Sequence, residues 1–169
     1  GAQKIDQLVN TIDDLNMDAV ALTEHGNMFS VLPYYKQAKK AGIKPIIGCE
    51  IYVAVGSRFE KKTRSDGGWG NNHLILLAQN FTGYKNLMKL VTAGYLEGFY
   101  YRPRIDMDLL REYSEGLICM SACLKGVVPE KMLKGDYEGA RKEALLFSEI
   151  FQDRYYLEIQ NHGIPEEEQ

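Results

Sequence analysis

The sequence predicts an α/β fold of barrel-like kind, incomplete within this chain. Three observations predict it. Short apolar, strand-like runs alternate with segments of helical periodicity. Polar or ionisable residues follow those runs, where α/β folds place their chemistry. The first four elements also run helix, strand, helix, strand, an order that favours parallel strands joined by crossovers.

Ile5, Leu8, Val9, Ile12 and Leu15 recur at helical spacing, so residues 2–16 read as an amphipathic helix. Residues 19–22 are a short buried strand that breaks into Thr23-Glu24-His25-Gly26-Asn27. Ser30 can cap a second helix, which tolerates Pro33 in its first turn and stops at Gly42. Residues 46–54 form the strongest strand pattern in the chain. Residues 55–72 are charged and glycine-rich without helical periodicity, and a strand at 73–78 follows directly. A non-helical link of that kind predicts an antiparallel pair, with Glu50 and His73 at one edge of the sheet. Little apolar surface offsets the backbone entropy of ordering 55–72, so that segment is expected to be a mobile surface excursion.

A helix then begins near Thr82, and residues 95–104 form an aromatic and basic loop. Asp106 caps a short helix to Tyr113, residues 117–120 are a fourth strand, and a helical turn lies near Pro129. A clear helix spans Tyr137–Phe151, and residues 155–159 are a fifth strand opening into Asn161-His162-Gly163. No repeat at fixed spacing and no low-complexity tract is visible.

At 169 residues the chain is one domain's worth and can bury a core. No apolar run approaches the roughly 20 residues of a membrane helix, and no signal peptide is visible. Three cysteines without a CxxC spacing point to a reducing, hence cytoplasmic, compartment. A net charge of −3 argues against a domain whose main task is holding nucleic acid. The first and last residues read as cut ends, an excerpt of a longer protein.

His25, Glu50, His73 and Cys123 each border a strand-like run, and all are good ligands for zinc and related divalent ions. By residue type alone a second reading stands beside the metal one, in which the histidines are loop residues and Cys123 fills core. Cys49 and Cys119 sit inside strands as small apolar fillers, and His162 belongs to a turn. No G-x-S-x-G and no phosphate-binding G-x-x-x-x-G-K-[ST] occurs. Tyr100-Tyr101-Arg102-Pro103-Arg104 offers either base stacking with a phosphate clamp or a core-anchored loop.

Residues 21–29 (Ala-Leu-Thr-Glu-His-Gly-Asn-Met-Phe) and 35–50 (ending Pro45-Ile46-Ile47-Gly48-Cys49-Glu50) resemble the PHP (polymerase and histidinol phosphatase) domain. The variant they resemble is the one at the N-terminus of bacterial DNA polymerase III alpha subunits. Residues 73–78, 98–106 and 121–126 continue the resemblance in order, so it covers essentially the whole chain, residues 1–169. It implies a distorted (β/α)7 barrel binding up to three divalent metal ions, zinc, manganese or magnesium. It also implies that His25, Glu50, His73 and Cys123 occupy metal-ligand positions. Glu24 stands where many relatives have Asp. The family's N-terminal His-x-His strand and C-terminal Asp-x-His motif are not in this sequence.

The parent protein implied is a replicative DNA polymerase, with DNA and other replicase subunits as partners and no membrane. Its nucleotidyl-transfer carboxylates belong to another domain. For the PHP domain itself the family offers two roles: a metal-dependent phosphoesterase giving 3′–5′ proofreading, or an inert module supporting the polymerase or a separate exonuclease. A free-standing PHP phosphatase fits the chemistry but not the polymerase-like middle blocks.

Overall fold

The structure is a computed structural model that describes residues 3–62 and 70–167. Helix α1 (Ile5–Asp14) leads into strand β1 (Ala19–His25), then α2 (Val31–Lys40) and the long strand β2 (Lys44–Ala54). Strand β3 (Asn71–Ala78), α3 (Phe81–Leu96), a two-residue strand β4 (Arg104–Ile105) and α4 (Met107–Glu112) follow. The chain ends with β5 (Leu117–Met120), α5 (Val127–Leu133), α6 (Tyr137–Phe151) and β6 (Tyr155–Tyr156).

The six strands form one open sheet in the order β1-β2-β3-β5-β6. β2 overruns β1 and pairs with β4 along the same edge. β1, β4 and β2 run parallel, as do β5 and β6, while β3 runs antiparallel to both of its neighbours. The expected reversal of the strand after the glycine-rich link is therefore present. The architecture is an α/β arc, a partial barrel.

Side-chain alternation divides the sheet into two faces. On the outer face Cys49, Ile51, Val53, Leu74, Leu76, Leu117 and Cys119 pack under Leu87 and Leu90 of α3, Leu109 and Leu110 of α4, and Phe147 and Phe151 of α6. A second cluster on the same face joins Val20, Leu22 and Ile47 to Val9 and Ile12 of α1 and to Tyr34 and Ala38 of α2. The opposite face carries Thr23, His25, Glu50, Tyr52, His73, Ile75 and Met120 in register. Cys49 and Cys119 are fully buried, and burial pushes the Cys49 thiol up to about 12, so both are inert filler as expected.

Several local expectations are corrected. The first helix is shorter than residues 2–16, because Asn16 turns to positive φ. Ser30 is already helical and makes no side-chain cap. Its N–H and hydroxyl instead donate to the Glu24 carboxylate at 2.9 and 2.8 Å. Asn80 caps α3, which continues to Leu96, so the loop is shorter than 95–104. The last strand covers only Tyr155–Tyr156 rather than 155–159, because β5, its neighbour, offers only Cys119 and Met120 for pairing.

Residues 55–62 are pinned rather than loose. Arg58 bonds Glu97 at 2.6 Å and Asp106 at 3.0 Å. Buried Arg104 donates to the carbonyls of Gly98, Arg58 and Glu60. Arg104 is therefore an anchor and not a phosphate clamp. The remainder of the expected excursion, residues 63–69, lies outside the described residues.

Asp106 caps α4 through the Leu109 N–H and also accepts from the Arg58 backbone and guanidinium. Burial raises its pKa, but the N–H groups of Arg58 and Leu109 and the Arg58 charge outweigh that and hold it below the ordinary value. A depressed carboxylate stabilises the fold at and above its ordinary pKa, and that stability is lost as pH falls through the depressed value. Asp106→Asn should cost about 3 kcal/mol at neutral pH, a charged hydrogen bond's worth, and should flatten the acid limb of stability. Urea unfolding from pH 2 to 7 checks both.

Candidate metal centre

His25 closes β1 directly opposite Glu50 of β2, and His73 of β3 sits opposite Tyr52, two residues further along β2. Even-numbered positions of β2 and odd-numbered positions of β1 and β3 share one face, so the three side chains converge across adjacent strands. Glu50 lies inside β2. The shared face, rather than a common edge, brings it to His73.

His25 Nε2 stands 3.3 Å from Glu50 Oε1, and His73 Nδ1 contacts the same oxygen more closely. The three donor atoms all lie within 4.8 Å of one another. Cys123 falls outside this trio and touches it through His73, Sγ to Nδ1 at 3.7 Å. The structure thus brings together all four residues singled out in the sequence, with Cys123 at the rim.

Two glycines make the approach possible. Gly26 has φ +66°, and a Cβ there would lie 2.8 Å from Pro103 and 2.9 Å from Tyr52. Its N–H donates to the Glu50 carbonyl at 2.8 Å, fixing the turn that aims His25. Gly126 passes so close to Ser121 that a Cβ would come within 2.0 Å of its carbonyl oxygen. That close pass tucks the Cys123 loop against β3, where His73 N–H donates to the Lys125 carbonyl at 2.9 Å. Gly26→Ala should therefore weaken divalent metal binding about tenfold or more by displacing His25, while costing only about 2 kcal/mol of stability. Calorimetric metal titration beside a urea melt separates the two effects.

The electrostatics of the cluster couple His73, Glu50, His25 and Cys123. Burial pulls His73 down, but Cys123 and Glu50 beside it more than reverse this and push it up to about 9. Burial raises Glu50, yet His73 and then His25 hold it below the ordinary carboxylate value. The Cys123 thiol is lowered chiefly by its contact with His73. Glu50 Oε1 is buried, with His73 Nδ1 close against it and His25 Nε2 3.3 Å away, so two imidazole nitrogens share one carboxylate oxygen. The donor set fits a divalent ion.

Three further residues border the cluster, and of these strand alternation could have shown only Tyr52. Tyr52 has Glu50's parity and meets the His73 ring edge-on at 5.2 Å. Lys125 acts on Glu50 electrostatically. Arg102 holds its guanidinium 5.6 Å from the Tyr52 ring centre. His162 is a turn residue, paired with Glu167 at 2.7 Å.

The chain belongs to the PHP domain family, whose profile matches residues 1–162. Its curated relatives include proteins named DNA polymerase III subunit alpha. That of Borreliella burgdorferi is 53% identical over 99% of this chain and 15% of the relative. Those of Treponema pallidum and Thermus aquaticus are 46% and 44% identical, again over 99% of this chain and 14% of each relative. The chain thus spans about one-seventh of the length of these relatives. Among solved structures, an amidohydrolase from Chromobacterium violaceum aligns with a TM-score of 0.40 at 17% identity, covering 55% of this chain and 28% of that one. No helix among the described residues is long and apolar enough to cross a membrane.

Proposed function

We propose that this chain is the PHP module of a replicative DNA polymerase of the DNA polymerase III alpha type, and that its His25–Glu50–His73 cluster, with Cys123, holds divalent metal and hydrolyses nucleic-acid 3′ ends. The observation that carries this reading is the convergence of His25, Glu50 and His73, whose donor atoms all lie within 4.8 Å of one another, with Cys123 against His73. Kinship at 44–53% identity along nearly the whole chain supports the polymerase setting. DNA, the other replicase subunits and a cytoplasmic location belong to the same proposal. So does a complete site of up to three ions, with His-x-His and Asp-x-His motifs in flanking sequence.

Imidazole and thiolate donors suit zinc better than magnesium. Bound metal would supply an activated water and a clamp on the phosphodiester. Within the chain, His25 and His73 hold metal as neutral imidazoles, and Glu50 supplies the negative charge that offsets clustered cations.

The test compares purified full-length wild type with His25→Ala on a 3′-labelled primer, in zinc, manganese and magnesium, with metal content measured in parallel. Hydrolysis and bound metal should fall together, hydrolysis by more than about 100-fold, beyond what loss of a residue merely supporting a ligand costs. Polymerisation should persist. If neither protein shortens the primer with any of the three metals while polymerisation is normal, the hydrolytic reading is wrong and the domain's role is structural.

A further inference from the structure

Three exposed aromatic rings line up beside the metal centre. Phe29 is 79% exposed, Tyr95 40% and Phe99 48%, and none of them belongs to either hydrophobic core cluster. Phe29 and Tyr95 have ring centres 6.5 Å apart, and Tyr95 and Phe99 are stacked at 6.1 Å with planes 27° apart. The row adjoins the site: His73 meets Tyr52, Arg102 lies against Tyr52, and Pro103 lies against Gly26 on one side and against Gly94, the neighbour of Tyr95, on the other. The Gly26 turn, pressed against Tyr52 and Pro103, sets the start of the loop that carries Phe29 to the same place.

We infer that Phe29, Tyr95 and Phe99, with Arg102, form a stacking platform that receives the last bases of a single-stranded DNA 3′ end and leads it to the His25–Glu50–His73 cluster. The inference rests on the hydrolytic reading of that cluster for its purpose, but not for its test. Every base has a π-face, so a row of rings grips a strand end without regard to sequence. The rings are held by backbone: Tyr95 lies in the last full turn of α3, and Phe99 follows Gly98, whose N–H bonds Ala93. Little ordering entropy is therefore spent on binding. The charge balance fits a short strand end rather than a duplex. The net charge is −3, whereas Arg102 beside the row is exposed and offers one charge to a phosphate. One phosphate contact predicts a shallow salt dependence, log K falling by about 0.7 per tenfold rise in salt.

The test is photocrosslinking of oligothymidylate carrying 5-iodouracil at one position, either within the last four nucleotides or near the 5′ end, to the full-length protein in EDTA. Hydrolysis is silent there, so failure of the platform is distinguishable from failure of the hydrolytic reading. Crosslinks from the 3′-terminal positions should map to Phe29, Tyr95 and Phe99 and survive moderate salt. Phe29→Ala and Phe99→Ala should each reduce them about tenfold, while Phe99→Trp should retain them. Phe29 is too exposed for its loss to unfold the chain, so the Phe29→Ala arm holds even if Phe99→Ala misfolds. Crosslinks that map elsewhere, that ignore the alanine substitutions, or that are absent because a protein segment covers the rings would overturn the inference.

Discussion

Glu50→Gln is expected to strip the site of divalent metal, with affinity down at least about 100-fold and 3′-end hydrolysis lost alongside. The amide keeps the shape of the side chain but removes the negative charge that two imidazoles and Lys125 now face. The same change should reshape the metal-free protein. His73 there is held up at about 9 against an ordinary 6.5, with Glu50 among the causes. A raised histidine stabilises the fold fully below pH 6.5, and that contribution is lost as pH rises through about 9. Wild-type apoprotein should therefore weaken between pH 6.5 and 9, and Glu50→Gln should show a flatter profile across that window. Metal content by mass spectrometry and urea midpoints against pH read the two effects separately.

Arg104→Ala should be among the most destabilising single changes in the chain, at about 4 kcal/mol. The side chain is 1% exposed and ties Gly98, Arg58 and Glu60 through their carbonyls. Truncation leaves the buried Gly98 carbonyl unsatisfied, releases the Arg58 and Glu60 carbonyls, and opens a cavity beside Tyr100, over whose ring the guanidinium lies. Lysine cannot reproduce the planar fork and should recover only part of the loss. Arg102, two residues earlier but exposed, should tolerate alanine within about 0.5 kcal/mol. Denaturant unfolding of the three variants checks the ordering.

That contrast between neighbouring arginines marks what could be read from sequence and what could not. Apolar runs are local, so those through Glu50 and His73 disclosed the strands, but the two side chains were expected at a common edge and meet instead on a shared face. The helix-free link between them disclosed the reversed direction of β3. Strand alternation held Tyr52, whose place beside His73 was readable but went unassigned. The fate of Arg104 was open, because its acceptors lie 6 to 46 residues away and no local pattern distinguishes a buried arginine from an exposed one. Arg58 and Asp106, 48 residues apart, were hidden for the same reason, and they anchor a segment whose composition suggested looseness. Ser30 looked like a cap by residue type, but the competing Glu24 carboxylate reached it from β1. The proximity of Cys123 to His73 depends on a loop turned by Ala122 at φ +62° and on the tight pass at Gly126, neither of which periodicity reports.

Anomalous X-ray scattering from crystals of the protein grown with manganese or zinc tests the metal centre most directly. The account predicts a peak within about 2.0–2.3 Å of His25 Nε2 and Glu50 Oε1, with His73 completing the trio, and no peak at that position in Glu50→Gln crystals. An ordered structure with no anomalous density between these residues at saturating metal, or with the ion bound elsewhere, would contradict it.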